Sequence, residues 1–120
     1  MAAQPLNGFT AYSPRKRTEV SRLALYKNHL KDLADSYPYL LDIQNDQMQA
    51  GTRIVALVRN SGIIADISVT TLKFSYAGEQ YSASLLDLFT VSERNLSAPL
   101  AQLDHLKAAL TNAVDFIFVD

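Results

Sequence analysis

Between Arg53 and Leu85 the hydrophobic pattern is that of strands, and turn signals interrupt it twice. Residues 53–59 (RIVALVR) form a short apolar run rich in β-branched side chains, which reads as a well-buried strand. Asn60-Ser61-Gly62 is a tight-turn signal. Ile63, Ala65, Ile67 and Val69 then alternate with Asp66 and Ser68, as in a half-buried strand. The apolar phase slips by one residue to Leu72, Phe74 and Tyr76, which a β-bulge or bend near Thr70-Thr71 would produce. Ala77-Gly78-Glu79 makes the next turn. Tyr81, Ala83 and Leu85 resume the alternation, with Ser82 and Ser84 facing the other way. Residues 86–91 either prolong that strand or form a short helical turn.

Helical periodicity flanks this region on both sides. Val20, Leu23, Tyr26, Leu30, Leu33, Ala34 and Tyr37 fall on one stripe. They predict a helix from Pro14 or Thr18 to Ser36, stopped at Tyr37-Pro38, because a residue before proline avoids the helical region. Ser97, with Pro99 in the first turn, opens a second helix. Its stripe is Leu100, Leu103, Leu106, Leu110, Ala113 and Val114. Phe116 and Phe118 lie off that stripe, so residues 114–120 read as a fraying helix end or a terminal strand. Residues 39–49 fit either a short edge strand or a loop.

This order predicts an α+β fold. It is a two-layer sandwich, an antiparallel sheet of three to four strands flanked by an N-terminal and a C-terminal helix on one face. Residues 1–13 read as an irregular N-terminal arm and residues 14–120 as a single α+β domain. A chain of 120 residues is one domain by size. In the two-layer packing Val55, Leu57 and Ile64 form an apolar island on the otherwise wet sheet face. An exposed patch of that kind marks an interaction site.

Charge is sorted along the chain. Residues 1–31 carry six basic side chains and one acid, and residues 32–120 carry five basic and eleven acidic ones. The net charge of −1 therefore conceals a basic front and an acidic remainder. Arg15, Lys16 and Arg17 are adjacent, and such a cluster can hold an anion or an acidic partner. As a nucleic-acid signal it is small, since counterion release scales with the number of phosphates met. The N-terminal cations also share no helix face.

Several chemistries are excluded or poorly supported. The sequence contains no cysteine, so disulfides, thiolate nucleophiles and cysteine-held metals are out. Neither H-E-x-x-H nor an EF-hand loop is present, and His29 with Asp32 alone makes no metal site. Four separated glycines build no phosphate loop. No serine stands in a nucleophile elbow. Asp42, Asp46, Asp66 and Asp87 are the candidate acid–base carboxylates, each with an outward-facing alternative.

The sequence thus favours a non-enzymatic protein–protein interaction module: an adaptor, assembly factor or inhibitor that self-associates. No cofactor or metal is expected. The interface candidates are Val55, Leu57, Ile64, Phe116 and Phe118. One alternative is a binder of nucleic acid or a phosphorylated ligand through Arg15, Lys16 and Arg17. The other is a small enzyme or ligand pocket with a buried aspartate. No apolar stretch approaches the roughly 20 residues that span a bilayer. The first 13 residues lack a continuous apolar run, which argues against a secretory signal. The expected location is the cytoplasm.

Overall fold

The apolar run at residues 53–59 becomes the middle of a sheet. The computed structural model describes residues 21–45, 51–61 and 68–118. Its strands in chain order are β1 (Ala24–Lys27), β2 (Tyr39–Asp42), β3 (Thr52–Asn60), β4 (Thr71–Tyr76), β5 (Glu79–Ser92) and β6 (Ala101–Gln102). A helix, α1 (Lys107–Phe118), follows a short 3-10 turn at Asp104–Leu106. The spatial order is β4-β5-β3-β2-β1-β6, and every neighbouring pair is antiparallel. Arg53 and the four consecutive residues 55–58 are buried. A strand covered on both faces loses its polar alternation, which is why this one reads as a continuous run.

The described residues do not form the expected two-layer sandwich of three to four strands and two helices. The described chain is a six-stranded antiparallel sheet, curled into a half-barrel, with one C-terminal helix. Over its described part, Leu23 to Tyr37, the predicted helical stripe is not a long helix. Residues 24–27 instead pair with residues 39–42, Leu25 opposite Leu41 and Tyr26 opposite Leu40. Ala24, Leu25 and Tyr26 are all buried, because this strand too is covered on both faces. Only residues 30–37 keep helical hydrogen bonds, Ala34 N to Leu30 O and Tyr37 N to Leu33 O. Asn28 ties that turn down: its Nδ2 donates to Tyr37 O at 2.7 Å, and its Oδ1 accepts from Leu30 N at 2.8 Å. The expected helix starts at Pro14 or Thr18 and the arm at residues 1–13 lie outside the described residues.

The second helix exists but begins ten residues later than its cap signal. Leu100 N donates to Leu25 O and Leu103 N to Leu23 O, so this stretch extends the sheet at β1. Backbone groups committed to that edge cannot also start a helix. From Leu103 onward the predicted stripe packs as expected, with Leu103, Leu106, Leu110 and Ala113 buried. Residues 39–42 form an inner strand, not an edge, and residues 86–91 continue β5.

Two cores result. One lies between the sheet and α1 and includes Leu41, Ala56, Val58, Leu72, Phe74, Leu85, Leu106 and Leu110. The other lies on the opposite face, where Leu33, Tyr37 and Leu96 pack against Tyr26, Leu40, Val55, Leu57 and Val91. The face that the sequence left wet is therefore covered by the β1–β2 connection.

Candidate interaction surface

The C-terminal helix decides which apolar groups stay free. α1 turns Leu110 and Ala113 inward, and Val114 and Ile117 lie against the same core. A helix has 3.6 residues per turn, so residues 116 and 118 cannot share that stripe. Phe116 is 65% exposed and Phe118 78% exposed. Two aromatic rings in water at one helix end are costly unless a partner covers them.

Val55 and Leu57 behave differently. Val55 is fully buried and Leu57 is 6% exposed, both in the second core. The free island expected around them is filled from within the chain. Ile64 lies outside the described residues, as do Arg15, Lys16 and Arg17. The structure brings Val55 and Leu57 together and leaves Phe116 and Phe118 on another element.

A second apolar surface was missed. Leu86, Leu88 and Phe89 of β5 and Ile54 of β3 are exposed. Beyond the Thr71–Ser84 pair, β4 no longer accompanies β5. The lower half of β5 pairs with β3 only, from Leu88 opposite Ala56 to Ser92 opposite Thr52. An edge strand bearing large apolar side chains is suited to contact with another chain. The signal was the Leu85-Leu86 and Leu88-Phe89 doublets, too apolar for one half-buried strand.

The two described candidate acid–base carboxylates, Asp42 and Asp87, sit in different settings. Asp42 is buried against Arg53, whose Nε donates to Asp42 Oδ2 at 2.7 Å. Asp87 is exposed on β5. Asp46 and Asp66 lie outside the described residues. His105 is exposed and His29 half-buried, on separate elements. Among the described residues no three His, Cys, Asp or Glu side chains stand close enough to hold a metal ion. No helix among them is long and apolar enough to cross a membrane.

The surface thus has exposed aromatics at a helix end, an apolar strand edge and no assembled catalytic set among the described residues. That arrangement suits contact with another macromolecule. No curated protein matches the chain. The family model described as CcdB protein matches residues 22–119, which takes in every strand and the helix. The chain belongs to the CcdB protein family, a family of toxins from toxin–antitoxin systems that poison gyrase and bind protein partners.

Proposed function

We propose that this protein is the toxin of a toxin–antitoxin pair, binds gyrase and is neutralised by an antitoxin. The family match over residues 22–119 carries this reading. The exposed end of α1 is the contact we assign to the target. Phe116 and Phe118 are large, exposed and set on a helix anchored by Leu110 and Ala113. Aromatic residues held on a rigid element are the usual anchors of protein interfaces. We propose that the protein meets this target in the cytoplasm.

A supercoiling assay with purified gyrase tests it. The wild-type chain should inhibit supercoiling, and the Phe116→Ser/Phe118→Ser variant should lose inhibition while keeping its thermal transition. If the wild type does not inhibit, the gyrase reading falls. If inhibition survives the double change, the contact lies elsewhere, with the β5 edge as the next surface to alter.

Self-association is the second reading of the same rings, since exposed aromatics can pair across a two-fold axis. Light scattering at micromolar concentration should then show a dimer that Phe116→Ser dissociates. A wild-type monomer removes that reading.

A further inference from the structure

The register between β3 and β5 breaks at one place. Ala56 faces Leu88 and Val58 faces Ala83, so β5 spends residues 84–87 against Leu57 alone. Bulges of this kind lift side chains out of the sheet and often adjoin binding sites. Ser84, Leu86 and Asp87 of this segment line a cavity of about 290 Å³ together with Leu57, while Leu85 stays in the larger core. That volume is at the small end for ligand pockets, which run from about 300 to 1,000 Å³.

The cavity's walls carry opposite charges. Arg59, which faces Ser82 across the strands, lines it on the β3 side. Asp87, in the lifted segment, lines it on the β5 side. No ion pair within 4.0 Å joins the two, and among the described residues neither side chain has a hydrogen-bond or ionic partner. Tyr37 and Leu57 supply apolar lining, and Ser82 adds a hydroxyl.

We propose that this cavity binds a free α-amino acid with an apolar side chain. The α-carboxylate meets Arg59, the α-ammonium meets Asp87, and the side chain lies over Leu57 and Tyr37. A simple anion would be repelled by Asp87 and a simple cation by Arg59. A zwitterion satisfies both walls at once, and its apolar body displaces water from the lining.

The test is a titration of the full-length, isotope-labelled protein with L-leucine, followed by amide chemical shifts. Shifts should concentrate at Arg59, Ser82 and residues 84–87. L-Leucinamide, which lacks the carboxylate, and N-acetyl-L-leucine, which lacks the ammonium, should each bind about tenfold to a hundredfold more weakly. Arg59→Met and Asp87→Asn should each abolish the matching discrimination while leaving the amide spectrum away from the cavity unchanged. The proposal is overturned if L-leucine moves no cavity amide at tens of millimolar. Equal binding of all three compounds, or L-leucine binding indifferent to both substitutions, overturns it as well.

Discussion

Arg53 grips Asp42 with two hydrogen bonds, Nε to Oδ2 at 2.7 Å and Nη2 to Oδ1 at 3.1 Å, and both side chains are buried. The pair is also wired to the backbone. Asp42 Oδ1 accepts from Gln44 N, Arg53 Nη2 donates to Gln44 O, and Gln44 Oε1 accepts from Ile54 N. It therefore clamps the end of β2 to the start of β3.

Breaking one side of such a pair strands a buried charge. Asp42→Leu or Arg53→Met should each cost about 3–5 kcal/mol, whereas the double change Asp42→Leu/Arg53→Met should cost less than the sum of its parts. Urea denaturation of the single and double variants gives these values. A cost below about 1 kcal/mol for either single change would show the pair behaving as a solvated surface contact.

Tyr81 makes the fold sensitive to alkali. Burial raises its phenol above the usual value of 10.0, and a hydrogen bond with Tyr39 and the nearby charge of Glu79 push the same way. Tyr39 and Phe74 hold the ring, with centroids 5.2 and 6.0 Å away. The folded chain thus keeps the phenolic proton to higher pH than the unfolded chain does. The contribution is complete below pH 10 and is lost as pH rises through the folded value. Denaturation midpoints should fall above pH 10 more steeply for the wild type than for Tyr81→Phe. Parallel profiles would remove the phenol from the explanation.

Local pattern and nonlocal cover separate what the sequence discloses from what it hides. β4 and the first half of β5 follow period two because one face of each is distinguishable from the other, whereas β3, buried on both faces, shows as a short apolar run. The stripe of α1 is legible from Leu103 onward for the same reason. β1 carries a helical pattern because Leu23, Tyr26, Leu30 and Leu33 happen to fall at helical spacing. Ala24, Leu25 and Tyr26 are buried, and the one polar position of β1, Lys27, fits a helix as well as a strand. Val55 and Leu57 seemed free because the segment that covers them lies about twenty residues earlier in the chain. Asp42 and Arg53 are eleven positions apart, on strands whose pairing no local signal announces.

The β4–β5 turn leaves room for improvement. Ala77 and Gly78 sit at φ 52° and 82° between the paired residues Tyr76 and Glu79. Two positive φ values in a two-residue hairpin loop favour Asn-Gly over Ala-Gly. Ala77→Asn should therefore stabilise the protein by up to about 1 kcal/mol. Gly78→Ala should cost about 1–2 kcal/mol through the backbone alone, since a Cβ there meets nothing within 4 Å. Melting curves of both variants check the signs, and a destabilising Ala77→Asn would contradict the turn geometry.

Leu110 and Phe118 lie on one helix and should respond oppositely to truncation. Leu110 is almost wholly buried among the sheet residues of the larger core, so Leu110→Ala should cost about 2–5 kcal/mol. Phe118 projects into water, so Phe118→Ser should stay within about 0.5 kcal/mol of the wild type in the isolated chain. If α1 served only to close the core, Phe118→Ser would leave target inhibition untouched. If it presents the rings to a partner, Phe118→Ser should weaken inhibition with the melting curve unchanged. Leu110→Ala should weaken it only as far as the folded fraction falls. Measuring inhibition and unfolding on the same preparations separates the two. A Phe118→Ser chain that melts well below the wild type would mean that the ring packs inside the fold, and the contact assigned to this helix end would lose its basis.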